Sequence, residues 1–150
     1  MTTAPTDPKS AAFSLLVRAK SKLDVRLAQS LESIGSVPLD VFEVLDTVSR
    51  CPEGRMRLSD LADALALSRS GLTRRLDRVE RVGYVVREEC PDDKRGAYAV
   101  LTDPGRQVHE ANLPVFRETV RAHFDDRITE GEARQLSALM RRVIGSLDRN

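Results

Sequence analysis

Leu16, Leu23, Leu27, Leu31 and Ile34 recur at spacings of 7, 4, 4 and 3, with Phe13 and Val17 beside the same stripe. That period predicts one long amphipathic helix over residues 11–34, closed by Gly35. Residues 1–10 carry no such pattern and read as a disordered arm. Val37-Pro38-Leu39-Asp40 opens a second, strongly apolar helix through Val41, Phe42, Val44, Leu45 and Val48. Arg55 to Leu58 is short enough for a small strand. Ser59 is a suitable cap for a third helix over 60–65. A break at 66–68 follows. Leu72, Leu76 and Val79 then stand at i, i+4 and i+7, which predicts a fourth helix over 68–82 ended by Gly83.

The period changes next. Tyr84–Glu88 and Ala97–Leu101 are short and rich in β-branched or aromatic residues. Between them, residues 90–96 hold turn formers and a basic tip, so the pair reads as a β-hairpin. Thr102 caps a long helix over 103–124, with Pro114 inside it expected to kink it or to break a backbone bond there. Thr129-Glu130-Gly131-Glu132 matches a capping box. The last helix carries Leu136, Leu139, Met140, Val143, Ile144 and Leu147 on one regular stripe.

A short helix, a turn, a second helix and a hairpin in this order make a winged helix-turn-helix. The expected fold is mainly α with a small β-hairpin wing. Residues 37–101 form the winged unit; helices 11–34 and 102–150 flank it. The terminal stripes, Leu16 and Leu23 at one end and Leu136, Leu139, Met140, Val143, Ile144 and Leu147 at the other, exceed what a small winged unit covers. They therefore predict a homodimer interface.

Charge sharpens the picture. The net charge is only +1 over 150 residues. Between Ala66 and Arg87, however, six Arg face only Asp77 and Glu80. The fourth helix turns Ser70, Arg74, Asp77 and Arg81 outward, with Thr73 and Arg78 at the edges. Guanidiniums and small hydroxyls at a helix N-terminus suit the major groove of double-stranded DNA. The plainer alternative is a solvated Arg-rich surface.

Other chemistry is sparse. Cys51 and Cys90 lie 39 residues apart with no ligand spacing around them, so neither a metal site nor a cofactor is expected. The glycines form no nucleotide-binding loop, and no nucleophile or metalloprotease motif assembles, which argues against an enzyme. No apolar run is long enough for a membrane span, and no signal pattern opens the chain, so a cytoplasmic protein is expected.

The block Leu58-Ser59-Asp60-Leu61-Ala62, Leu67-Ser68-Arg69-Ser70, Leu72-Thr73-Arg74, Asp77-Arg78, Gly83-Tyr84-Val85, Asp92-Asp93-Lys94-Arg95 and Leu101-Thr102 with Gly105 resembles the MarR (multiple antibiotic resistance regulator) family of transcription factors. The resemblance covers about residues 37–105. It implies base and phosphate contacts from Ser68, Arg69, Ser70, Thr73, Arg74 and Arg78. It also implies a wing motif at Asp93, Lys94 and Arg95, whose Arg enters the minor groove, where negative potential favours a guanidinium. It implies interlocked terminal helices in a homodimer and a repressor of a pseudo-palindromic operator. A small, often aromatic or anionic, effector would release it from a site near Phe13, Arg18, Phe42 and His109. Gly71 departs from the family pattern, and no Cys lies in the first helix where the family's peroxide sensors carry one. Two alternatives stay open: a redox-responsive regulator acting through Cys51 or Cys90, and a winged-helix module that binds only protein.

Overall fold

A computed structural model describes residues 7–90 and 93–147, with side chains omitted at 93–95. The chain order is α1 (Pro8–Ser33), α2 (Leu39–Ser49), β1 (Arg55–Arg57), α3 (Leu58–Ala64), α4 (Arg69–Arg81), β2 (Val85–Cys90), β3 (Asp93–Leu101), α5 (Asp103–His123) and α6 (Glu130–Leu147). The three strands form one antiparallel sheet in the order β1-β3-β2. The fold is a winged helix-turn-helix with long helices at both ends of the chain.

The core gathers around α2. Val41, Val44, Leu45 and Val48 of α2 pack with Leu61 and Ala62 of α3, Leu72, Leu76 and Val79 of α4, and Val85, Ala99 and Leu101 of the sheet. These are the apolar positions that the helical and strand periods place inward. Burial of this set fixes α4 by one face and leaves its other face to solvent.

Three helices end in the same way. The N–H of Gly35 bonds to Glu32 O and that of Ser36 to Leu31 O; the N–H of Gly83 bonds to Glu80 O and that of Tyr84 to Val79 O; the N–H of Ala66 bonds to Asp63 O and that of Leu67 to Ala62 O. Each pair closes a helix with a left-handed residue at its end. Gly35 and Gly83 adopt that conformation freely, at φ of 66° and 79°; Ala66 is held there at φ 51°. The chain reversal between α3 and α4 thus depends on an alanine in a conformation that disfavours a Cβ.

Several expectations change. The first helix starts at Pro8, inside the stretch expected to be disordered, because the Asp7 carboxylate accepts the Ser10 N–H at 2.9 Å and Pro8 sits in the first turn. The part of that expected arm at residues 1–6 lies outside the described residues. The third helix starts at Leu58, so Ser59 is not its cap. The hairpin is longer than expected: β2 runs to Cys90 and β3 begins at Asp93, with Cys90 opposite Asp93 after a register shift at Glu89/Cys90. Residues that read as a loop by composition are carried by the backbone ladder of an exposed ribbon, which turn formers weaken but do not forbid. As expected, Pro114 lies inside α5, where it has no N–H to give to the helix, and α5 remains one element through it. The capping box at α6 forms, with Thr129 N–H donating to Glu132 at 2.8 Å.

The terminal stripes are not covered within one chain. α1 buries only Leu27 and Leu31, and α6 buries nothing. Leu16, Leu139, Val143, Ile144 and Leu147 are exposed, while Leu23, Leu136 and Met140 are half-buried. Among the described residues, no helix is long and apolar enough to cross a membrane.

Candidate nucleic-acid interface

The exposed face of α4 begins at its cap. Ser68 Oγ accepts the Gly71 N–H at 3.1 Å and lies 3.2 Å from Ser70 Oγ. A Cβ at Gly71 would stand 3.1 Å from Ser68 Oγ, so the glycine leaves room for the capping hydroxyl. The Thr73 hydroxyl donates to Arg69 O at 3.0 Å, one turn back. Ser68, Arg69, Ser70, Thr73 and Arg74 are all exposed on this first stretch of the helix. Unbonded N–H groups at a helix start add positive potential to it.

The arginines divide into two groups. Arg75 pairs with Glu43 at 3.0 Å, and Arg78 pairs with Asp40; both partners are on α2. Arg87 of β2 pairs with Asp77 and Glu80 of α4. Arg69, Arg74 and Arg81 have no ion-pair partner among the described residues. The paired group braces α4 against its neighbours. The unpaired group leaves its charge available to an external anion. Arg78, expected to contact DNA, is thus already engaged on its α2 side.

A cleft lined by Ser59, Arg69, Thr73 and Gly96 runs between the starts of α3 and α4 and the first half of β3. It joins the helix face to the wing. Asp93, Lys94 and Arg95 lie at the start of β3, beyond which their side chains are outside the described residues.

The four residues expected to line an effector site do not come together. Phe13 is 67% exposed on α1, and Phe42 is wholly buried. Phe13 precedes Leu27, the first buried residue of α1, by nearly four turns, which is roughly 21 Å of helix. Arg18 borders a shallow groove on α1 with Lys22 and Arg26. Only Phe42 and His109 meet: their rings stack at 5.6 Å, and Phe42 also packs on Phe116 at 4.7 Å. His109 Nε2 lies 3.1 Å from Asp46 and 3.3 Å from Ser49 Oγ. His109, Asp46, Ser49 and Phe116 border a recess between α2 and α5 that also reaches Arg50, Arg106, Glu110 and Arg117, with Phe42 buried behind it. Asp46, Ser49 and the three arginines were not foreseen. Asp46, Ser49 and Arg50 come from the end of α2 and Arg106 and Arg117 from α5, and only the packing of the two helices joins them.

Both cysteines are free thiols. Cys51 is half-buried. Cys90 is 4% exposed, with an Arg57 N–H donating to its Sγ at 3.3 Å. Its burial restricts oxidant access, which a redox sensor needs.

Comparison with known proteins agrees with this geometry. The MarR family model matches residues 36–96. AbsC, a MarR family transcriptional regulator from Streptomyces coelicolor, superposes with a TM-score of 0.86 at 30% identity, over 97% of each chain. Sco3205, a MarR family transcriptional regulator of the same organism solved in complex with DNA, superposes at 0.84 and 31% identity, over 95% of this chain and 92% of its own. The HTH-type transcriptional regulator YkoM of Bacillus subtilis is 32% identical over 103 residues, 69% of this chain and 63% of YkoM, so the match spans under two thirds of that relative. On the winged fold, the continuous match through its centre and the two structural likenesses that span nearly the whole chain, the chain belongs to the MarR family of transcriptional regulators.

Proposed function

We propose that this protein is a sequence-specific DNA-binding regulator, a homodimer that represses from a pseudo-palindromic operator and is released by a small ligand. The observation that carries the reading is the start of α4. Arg69 and Arg74 stand there exposed and without an ion-pair partner among the described residues, beside the hydroxyls of Ser68, Ser70 and Thr73. Such a face can reach base edges and phosphates together. Residues 37–101 serve as the DNA-binding unit, with Asp93, Lys94 and Arg95 at the wing. The exposed apolar residues of α1 and α6 serve as the dimer interface, since α6 has no buried residue of its own. A two-fold dimer sets its recognition helices about 34–36 Å apart, one DNA turn. The recess beside His109 has Phe116 and the His109 ring on its wall. Of its three arginines Arg50 pairs with Asp46, so Arg106 and Arg117 are the groups that would meet a small aromatic anion, with Glu110 beside them.

Fluorescence anisotropy on the DNA flanking the protein's own gene, across a salt series, tests the reading. Binding that weakens steeply with salt, and further with Arg74→Ala or Arg95→Ala, is expected. Equal binding to that DNA and to random sequence, followed by failure of random-sequence selection to enrich any site, would refute it.

A further inference from the structure

We propose that Arg87 is a positioning residue that fixes the wing relative to the recognition helix, so that the wing's discrimination among base pairs depends on it. The inference rests on the DNA-binding reading above. Arg87 lies in β2, the strand that leads out along the wing. Its side chain turns back onto α4. Nη2 donates to the Asp77 carboxylate at 2.7 Å and to the Thr73 carbonyl at 3.4 Å, and Nη1 pairs with Glu80. Its backbone N–H also donates to Glu80 Oε1 at 3.1 Å. Thr73, Asp77 and Glu80 stand at i, i+4 and i+7, so one residue of the wing is tied to two turns along a single edge of the helix. No other described side chain of β2 bonds to α4.

The consequence is mechanical. From Arg87 to Cys90, β2 extends about 10 Å. A tilt of about 10° at the base would move the tip by roughly 2 Å, more than a hydrogen bond tolerates. A planar guanidinium with three acceptors around it resists that tilt; an ammonium is a point donor and does not. The same contacts neutralise Asp77, whose carboxylate otherwise stands exposed on a face meant for phosphate.

Arg87→Lys separates the two effects, because it keeps the charge beside Asp77 and loses the fork. The probe is the strongest site recovered by wild type from random DNA. Two altered versions are compared: one changed at the outermost protected base pairs, the other changed under the recognition helix. Wild type should lose about tenfold in affinity on either change. Arg87→Lys should keep the tenfold loss under the helix, keep the salt slope, and lose less than about twofold at the outer pairs. Asp77→Asn, at an exposed position, is the companion variant and should show the same selective loss in weaker form; it decides the matter if Arg87→Lys melts early. Outer-pair discrimination equal to wild type in both variants would overturn the inference while leaving the DNA-binding reading intact. Absence of salt-dependent binding by wild type would overturn that reading and this inference with it.

Discussion

His109 Nε2 of α5 lies 3.1 Å from the Asp46 carboxylate of α2, although 63 residues separate them in the chain. The ring stacks on Phe42, and both partners are nearly buried. This contact ties a terminal helix to the centre of the winged unit. Removing the imidazole leaves a buried carboxylate short of a donor and Phe42 short of a neighbour, which costs about 1–3 kcal/mol. His109→Ala should therefore lower the urea midpoint with an unchanged m-value. A midpoint equal to wild type would show that the contact contributes nothing.

Ala66 offers a test of backbone strain. Its left-handed conformation costs an L-residue about 1–2 kcal/mol, which glycine avoids. Glycine also costs more entropy on folding. Ala66→Gly should be neutral to stabilising by up to about 1 kcal/mol, and Ala66→Val destabilising by about 1–2 kcal/mol. Thermal unfolding of the three proteins gives the order; a valine variant as stable as alanine would contradict it.

Gly105 marks a close approach. A Cβ there would stand 2.0 Å from the Tyr84 carbonyl oxygen and 2.8 Å from its carbon. That carbonyl accepts the Thr102 N–H at 3.1 Å, and the Thr102 hydroxyl donates to Gly83 O at 2.6 Å. The obstruction is backbone in the joint between α4 and α5, so it cannot swing away. Gly105→Ala should destabilise by about 2 kcal/mol or more and reduce soluble yield. Crystallisation of an undisturbed, equally stable Gly105→Ala protein would rule this out.

Acid should loosen the start of α6. The Thr129 backbone N–H, then the Thr129 hydroxyl, hold the Glu132 carboxyl below its ordinary range. A depressed carboxyl pKa means the favourable contribution is present above the unfolded value and is lost as pH falls through the folded one. The Thr129 amide resonance should titrate with Glu132 below the ordinary glutamate range, and Glu132→Gln should abolish that step. An amide that ignores Glu132 would disprove the cap.

The apolar face of α6 predicts assembly. Leu139 and Ile144 are about half exposed in the single chain. Charges placed in a dimer interface there are desolvated without a partner. Leu139→Glu with Ile144→Glu should shift sedimentation toward the monomer and weaken DNA binding, since one half-site loses its partner. Sedimentation unchanged from wild type would place the interface elsewhere.

The helices and the wing were legible because their signals are local. Leu72, Leu76 and Val79 repeat at helical period, Gly35 and Gly83 end helices, and Thr129 with Glu132 marks a start; each acts within a few residues, where the chain itself fixes spacing. The Asp7-Pro8 start of α1 is equally local, but it lies ahead of the apolar stripe, whose period carries no sign of it. Exposure of Ser70, Thr73 and Arg74 followed from the same period. Other features depended on tertiary packing. Which arginines are engaged was decided by α2 and β2, which set Glu43 beside Arg75, Asp40 beside Arg78, and Arg87 against Asp77 and Glu80. Phe13 was parted from Phe42 by the length of α1, and His109 met Asp46 only because α5 packs on α2. A periodic pattern says which way a side chain faces, not which distant residue will face it; that is decided by how the buried faces dock.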